Sequence, residues 1–583
     1  MSTGISCETL AVGDRLLYEQ KATFVRLNTN PTTVRAPLGE GAQSLVRNCM
    51  RNLLVAGCIA SLALAPPLNA QEAENEPEAD GRAPYELSLF DAVEMALRYN
   101  LQVRLNKLSP ESSFQNIDSS RAQFDPMFIF NLPSAFGQNT NQGTSSLDGG
   151  DVVTTEQIRG GFTFQDRLET GADWSIGWSG GRNFSTNAFS SFNPSFNSSV
   201  NMNVTQPLLR GFGREIQTAQ IVISQNDYEI SQEQFRQQVW ATVRTVYRAY
   251  WALVGAEANL ETQVLGLDLA RQQFERNNIQ VEIGTLAPIE TIQAEQQVAT
   301  AELSVTRARQ TMDDAEDDLK RLINIDAAAV TGWDVNLVPT TDPPLDTAPI
   351  DVDEAIRTAL DNDPNLRQES LRLDSQSLNL KVAQDALRPQ LNFNGSLQLS
   401  GTGGDFLIRG AGFGSSEISE IQEGGFGDAL RNMMSGDFRN WSVGLTLQVP
   451  INNWAAKAGH ARALIAEKQI VTRVADREQQ LRVDVTKAVR QVTSGARQVD
   501  QAGTARELAQ RQLDAEQRKF AVGTTTNFAV LRFQRDLVDA QTNELTSILN
   551  YVNSLADLEQ LKGTLLQALG VTFGIAGVPS GQR

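Results

Sequence analysis

The chain has 583 residues, 41% of them hydrophobic and 20% charged, and its formal net charge is −19. This length is ample for a hydrophobic core and by itself would allow several domains. The acidic balance argues against a nucleic-acid partner, because there is no basic excess to neutralise phosphates.

Residues 1–70 are predicted to hold an N-terminal extension and a secretory signal. Arg51 lies in a basic segment, residues 53–65 are apolar but too few to span a bilayer, and Ala70 is the small residue that a signal peptidase prefers. Such signals normally begin a chain, so Met50 is the predicted start codon and residues 1–49 a misassigned extension. N-terminal sequencing of the mature protein tests this hypothesis.

The three cysteines of the chain all lie near its N-terminus, at Cys7, Cys49 and Cys58. The rest of the chain therefore has neither disulfides nor cysteine-bound metal. A lipobox ending at Cys58 is an alternative to the cleaved signal. The mature N-terminus, residues 71–84, is mostly acidic and is expected to be disordered.

The remaining chain is predicted to consist of two copies of one unit, residues 85–325 and 351–570, joined by a linker at 326–350 and followed by a tail at 571–583. Each copy begins with short helices. They contain the sequences ALRYN and ALDND, and Ala92 and Ala96 align with Ala355 and Ala359 at a constant offset.

Both copies continue with β-strands that have one apolar and one polar face. Trp441, Val443 and Leu445 alternate with polar or small residues, as do Val200 and Met202 in the first copy. We count about two strands per copy. The first copy is longer here, and an extra hairpin around residues 167–171 would account for the difference. Prolines are predicted at the joints between strands and helices, because proline ends strand pairing and is tolerated where a helix begins. These prolines are Pro126, Pro207, Pro389 and Pro450.

A long helix then follows in each copy. Nothing between residues 214 and 283 stops a helix, and this stretch has two apolar stripes side by side, one of them through Phe235 and Val239 and the other through Val243 and Tyr247. A helix with two stripes requires a neighbour on each side, as in a curved wall; a long dimeric coiled coil is the alternative. Each long helix ends at a Gly-Thr turn and a returning helix follows, which is typical of a helical hairpin.

Aromatic residues in the short strands indicate a membrane barrel rather than a soluble β-sandwich. About four strands cannot close a barrel, and lipid does not tolerate open sheet edges, so several copies of the chain would share one barrel. The same symmetry would close the long helices into a tube. A barrel continuous with a helical tube is a conduit.

The ordered set of motifs resembles the TolC family of outer membrane efflux proteins over residues 85–570. The motifs are ALRYN and ALDND, the joints TQPLLRGFG and LQVPINN, and the turns IGT and VGT. The resemblance implies a mainly α-helical homotrimer, with a twelve-stranded barrel in the outer-membrane lipid. Each chain would supply two tandem repeats of helix, strands and long helical hairpin. An α-helical barrel would extend into the periplasm, with the linker in an equatorial region.

The same resemblance implies a passive channel of a tripartite efflux or type I secretion system. Its partners would be a periplasmic adaptor (membrane fusion) protein and an inner-membrane pump. The adaptor would dock on the tips of the helical hairpins; a plain turn that contacts nothing is the alternative. The tip residues are Ile283, Gly284, Thr285, Val522, Gly523 and Thr524.

The gate departs from the best-known family pattern. Where some members have two aspartates one turn apart, this chain has Ala529 and Arg532. Glu290 is the candidate for an acidic pore constriction, with Glu282 near it; a solvated carboxylate is an equally good interpretation.

No catalytic, cofactor or metal site is expected. His460 is the only histidine, which leaves zinc sites and catalytic triads without their usual residues. A structural or adhesive coiled-coil protein of the outer membrane is the alternative function. The duplication favours a channel, because an adhesin would need a passenger domain or one repeated stalk.

Overall fold

The structure is a computed structural model that describes residues 83–131, 137–142, 152–187, 190–327, 332–345, 349–410 and 417–571. The predicted signal, start codon and lipobox, and residues 572–583 of the tail, lie outside these residues. The predicted disorder at 71–84 is wrong at its end, because a strand begins at Ala83 and pairs with the linker.

The described helices are α1 (Leu89–Tyr99), α2 (Leu101–Arg121), α3 (Arg214–Gln217), α4 (Ala219–Glu282), α5 (Ile289–Ile323), α6 (Val352–Asn362), α7 (Pro364–Asp385), α8 (Phe426–Ser435), α9 (Trp454–Ala521), α10 (Asn527–Lys562) and α11 (Leu565–Ala568). Most of the described helical residues lie in two short pairs, α1–α2 and α6–α7, and two long hairpins, α4–α5 and α9–α10. Local capping sets where the short helices begin: the Ser88 side chain accepts from the Asp91 amide, and the Asp351 side chain accepts from the Asp353 amide. None of the helices described is both long and apolar enough to cross a bilayer.

The strands form two sheets. They are β1 (Ala83–Leu87), β2 (Met127–Asn131), β3 (Gly137–Gln142), β4 (Val152–Arg167), β5 (Asp173–Ser185), β6 (Phe192–Pro207), β7 (Val335–Pro339), β8 (Gln390–Arg409), β9 (Ile418–Gln422) and β10 (Arg439–Gln448). β1 and β7 pair in parallel. The other strands form one antiparallel sheet in the order β10-β8-β6-β5-β4-β2, in which β3 also pairs with β4 and β9 with β8.

The extra hairpin expected around residues 167–171 is present as β4 and β5. Its turn is closed by the Leu168 amide, which donates to the Ala172 carbonyl at 2.8 Å, and Gly171 adopts a φ of 91° there. The expected two strands per copy are therefore found in the second half, where β8 pairs along one edge with β10 and β9. The first half has four: the β2–β3 edge, β4, β5 and β6. The alternation was visible in the sequence, but the period alone does not say which strands pair.

The large sheet has one apolar and one polar face. One row of paired residues crosses all six strand positions and is apolar throughout: Trp441, Leu397, Met202, Ile176, Phe164 and Phe128. The adjacent row points to the other face and is polar over five strands: Ser442, Ser396, Asn203, Ser175 and Gln165. This sidedness is typical of a sheet between lipid and water.

The long helices form a wall. α4 spans about 95 Å and packs against α2, α5, α7 and α10. Both predicted stripes bury residues, Val239 in the first and Tyr250 in the second, so α4 has neighbours on more than one side rather than one coiled-coil partner. The prediction of an unbroken helix from residue 214 is wrong at Thr218, where α3 ends and α4 begins and where the backbone leaves helical geometry with a φ of −92° and a ψ of 2°.

The hydrophobic core lies where the short helices and the linker meet the long ones. Part of the linker forms β7, and the hydroxyl of buried Tyr250 joins both chain segments. It donates to the Leu87 carbonyl at 3.1 Å and accepts from the Thr341 amide at 3.0 Å. A buried ion pair supports the same region: the Lys320 ammonium lies 3.0 Å from the Glu316 carboxylate, which also accepts from the Leu337 amide.

Helix α8 lies directly on the apolar face of β8, and glycines permit this contact. A Cβ atom on Gly401 would lie 2.0 Å from the carbonyl oxygen of Ala429 in α8. Phe426 of α8 meets the ring of Trp178 edge-on at 6.4 Å. Helix and sheet therefore approach backbone to backbone.

Replacing Gly401 with valine is expected to displace α8. Overpacking a close contact costs about 1–3 kcal/mol, so trypsin should cleave after exposed Arg431 about 5- to 150-fold faster than in the wild type. Gly444→Val is the control, because a Cβ there meets nothing within 4 Å. Equal cleavage rates in the two variants would contradict this packing.

Candidate functional site

The first hairpin tip joins α4 to α5 through a turn that needs glycine. Gly284 has a φ of 82°, and its amide donates to the Val281 carbonyl at 2.9 Å. The Thr285 amide donates to the Gln280 carbonyl at 2.9 Å, and the Thr285 hydroxyl donates to the same carbonyl. This is a Schellman motif, in which a left-handed residue satisfies the last carbonyls of a helix.

The second tip, between α9 and α10, has the same geometry. Gly523 has a φ of 76°, and its amide donates to the Phe520 carbonyl at 3.0 Å. The amide and hydroxyl of Thr524 both donate to the Lys519 carbonyl. The IGT and VGT motifs therefore correspond to one turn, made twice.

Each tip exposes apolar side chains at equivalent positions. Ile283 is 71% exposed and Val522 is 73% exposed. The returning helices add Ile289 and Phe528, which are also exposed. These are the positions where the adaptor is predicted to dock, and that role remains a prediction.

A network of polar side chains joins the two hairpins just behind the tips. The Gln273 amide group lies 2.9 Å from the side-chain oxygens of both Asn277 and Asn527, and all three side chains are buried. Asn527 also donates to the Glu290 carboxylate at 3.2 Å. Sequence analysis missed this network, whose only signal was amide residues at positions where the helix faces are otherwise apolar.

Glu290 thus lies half-buried between the two hairpins, whereas Glu282 is exposed beside the first tip. Their role as a pore constriction remains a prediction. Arg532, at one of the positions where aspartate occurs in some relatives, lies 3.8 Å from Asp536 one turn further along α10.

The four prolines lie at ends of the large sheet's strands. Pro126 precedes β2, Pro389 precedes β8 and Pro207 ends β6, while Pro450 follows β10. These are the places where the sheet meets α2, α7, α4 and α9, respectively.

A carboxylate braces the second tip. The Thr525 hydroxyl donates to Glu516 at 2.5 Å and the Lys519 ammonium donates to its other oxygen at 3.0 Å. These two hydrogen bonds, that from Thr525 first, hold the pKa of Glu516 below its usual range. Because the pKa is lowered in the folded protein, this stabilisation exists above the usual pKa of the carboxyl and is lost as the pH falls through the lowered value.

Replacing Thr525 with valine is expected to loosen the second tip. The hydroxyl is removed at nearly constant volume, so amide hydrogen exchange of residues 519–526 at neutral pH should be several-fold faster than in the wild type. The difference should close once the pH is low enough to protonate Glu516 in both proteins. Thr526→Val is the control, because the Thr526 side chain makes no capping bond. Equal exchange at neutral pH would contradict the bracing role.

Comparisons with known proteins bear on this arrangement of sheet, wall and tips. The family model described as "Outer membrane efflux protein" matches residues 167–324 and 355–564, which is more than half of the chain. The chain belongs to the outer membrane efflux protein family. Its members are transport channels of the outer membrane rather than enzymes, and the resemblance to the TolC family is confirmed.

Solved structures show the same fold. A membrane protein from Pseudomonas aeruginosa is 18% identical, with a TM-score of 0.57 over 86% of this chain and 100% of the other. The outer-membrane channel OprN is 16% identical, with a TM-score of 0.58 over 87% and 98%. The open state of the MtrE outer membrane channel from Neisseria gonorrhoeae is 16% identical, with a TM-score of 0.54 over 82% and 89%. A comparison with curated proteins gave no match.

Proposed function

We propose that this outer membrane efflux protein is the passive, trimeric channel of a tripartite efflux or type I secretion system. It would lie in the outer membrane and extend into the periplasm. The observation that carries the proposal is the continuity of a sheet with one apolar face and a wall of long helices that ends in two equivalent exposed tips.

A single copy cannot be the working unit. The sheet ends at β10 on one side and at β2 and β3 on the other, and these two edges do not pair with each other in the described part of the chain. An open edge in lipid leaves backbone groups without hydrogen bonds, at a cost of several kcal/mol per group. Copies must therefore share a barrel, and the family relationship favours three.

The tips fit a periplasmic adaptor protein as the docking partner. Both present an exposed aliphatic residue, Ile283 or Val522, on a turn held by glycine and threonine. A ring of three copies would offer such pairs repeatedly, which suits an oligomeric partner. An inner-membrane pump would supply the energy, as the family resemblance implies.

Mass and conductance together test the proposal. The mature protein is purified in detergent, its mass is measured by light scattering corrected for detergent, and the same sample is placed in planar bilayers. A trimer with discrete single-channel currents is the expected result. A stable monomer, or a trimer that never conducts even when Asn527→Ala removes the hydrogen bonds of Asn527 to Gln273 and Glu290 of the other hairpin, would overturn the channel assignment in favour of a structural or adhesive role.

A further inference from the structure

The large sheet of each copy has more strands than the family resemblance implies. We propose that each copy contributes six strands to the shared barrel, so that a trimer closes eighteen strands rather than twelve. The joint between copies would be the edge of β10 on one copy and the edge formed by β2 and β3 on the next. The inference rests on the proposed trimeric channel and gives the number of strands in its barrel.

The added hairpin is continuous with the rest of the sheet. β4 pairs with β5 from Thr155–Ser185 to Arg167–Asp173 without a register shift, and β5 pairs with β6 equally regularly. Its apolar residues face the same side as those of β6, β8 and β10, so the hairpin has the sidedness of a membrane wall. A hairpin folded away from the barrel would not require its apolar residues to lie on the same face as those of the other strands.

An aromatic band supports the same placement. The rings of Phe128 and Phe162 lie 5.7 Å apart, as do those of Phe162 and Trp178. Phe164 and Trp174 lie 5.4 Å apart on the same face. These contacts run across β2, β4 and β5, and such girdles of aromatic residues mark the lipid-facing surface of membrane barrels.

In the single copy, both edge strands of the sheet have no pairing partner on their outer side in the described part of the chain. Every residue of β10 is exposed, including Trp441 at 72%, and so are Phe128 and Phe130 at the opposite edge. Among the described residues, β10 is paired only with β8, and β2 only with β4. Each edge therefore presents unpaired backbone groups beside apolar side chains on the same face. The backbone donors and acceptors of one edge can pair with those of the other edge on the next copy.

The turn of the added hairpin lies against a strand-to-helix joint. The Gly213 amide donates to the Thr170 carbonyl at 3.3 Å, and Arg214 and Glu169 form an ion pair at 2.8 Å. A Cβ atom on Gly171 would lie 2.6 Å from the carbonyl oxygen of Gly211. β4 and β5 thus end on the helical side without continuing into helices, while the other four strand positions do continue.

The barrel would consequently be wider than the tube beneath it. Barrel diameter grows roughly in proportion to strand number, so eighteen strands give a lumen about half as wide again as twelve. The number of helices that meet the sheet is still four per copy. The channel would have the shape of a funnel whose wide end lies in the outer membrane.

Disulfide cross-linking tests which strand meets β10 of the next copy. The three natural cysteines are replaced with serine, Met127→Cys is introduced on β2, and cysteines are placed in turn at Asn440, Ser442, Thr446 and Gln448 of β10. All these positions face the polar side, so the Cβ atoms of a paired set come close enough for a disulfide. The matched set carries Ser175→Cys on β5 in place of Met127→Cys. If only β5, β6, β8 and β10 entered the barrel, three copies would form twelve strands and β10 would meet β5 of the next copy.

Eighteen strands predict cross-linked dimers and trimers with Met127→Cys and none with Ser175→Cys. The reverse result would overturn the inference and leave a twelve-stranded channel intact. An absence of cross-links in both sets, in protein that remains trimeric, would also overturn it, because β10 would then meet neither strand. A monomer or dimer by mass would contradict the proposed trimer itself, so the two failures are distinguishable.

Discussion

Replacing Glu316 with alanine is expected to lower the free energy of unfolding of the core region by about 3–5 kcal/mol. The side chains of Glu316 and Lys320 are only 2% and 1% exposed, and their charged groups lie 3.0 Å apart. Removing the carboxylate leaves a buried ammonium without that partner and takes away the acceptor of the Leu337 amide. Water cannot compensate without opening the packing around β7.

Hydrogen exchange of the β7 amides measures this effect locally and avoids the need for reversible unfolding of a membrane assembly. Asp318→Ala is the control, because Asp318 lies in the same helix but is exposed and should cost no more than about 0.5 kcal/mol. The double variant Glu316→Gln, Lys320→Met should recover most of the protection, since it removes both charges. If Glu316→Ala exchanges no faster than Asp318→Ala, the ion pair does not stabilise this region.

Replacing Gly284 and Gly523 together with valine is expected to reduce transport at least about tenfold while leaving the trimer intact. Both glycines have positive φ, and a β-branched residue there costs about 1–3 kcal/mol of backbone strain. A Cβ at either position meets nothing within 4 Å, so the strain falls on the turn and not on the packing behind it. The turns should rearrange and move Ile283 and Val522 away from the docking geometry.

Accumulation of a fluorescent export substrate in cells measures transport, and the detergent-corrected mass measures assembly. Gly459→Val is the matched control, because Gly459 lies in α9, has no positive φ and also has open space around it. The control should transport normally. Unchanged transport in the double variant would show that the tips are not the docking site.

Much of the architecture was predictable because it depends on periodicity. The two stripes of α4, the Gly-Thr turns and the alternation of β10 each follow from residue spacing alone. What the sequence did not show depends on contacts between distant segments. The pairing of β1 with β7 within a linker and the network of Gln273, Asn277 and Asn527 arise only when the chain is folded. The break at Thr218 is a local change of backbone angles, and a sequence pattern that merely permits a helix does not reveal it.

β4 and β5 end at the turn of residues 168–172 without continuing into helices, and this has a consequence for the electrical resistance of the channel. Where strands outnumber helices, the segments of the conducting path differ in cross-section, and segments in series add their resistances. The narrowest segment then dominates the total resistance. In a trimer whose eighteen strands form a complete barrel, the helical tube and its tips would therefore limit the current. Charge changes on the barrel wall would alter ion flow little, whereas the same changes near the hairpin ends would alter it strongly.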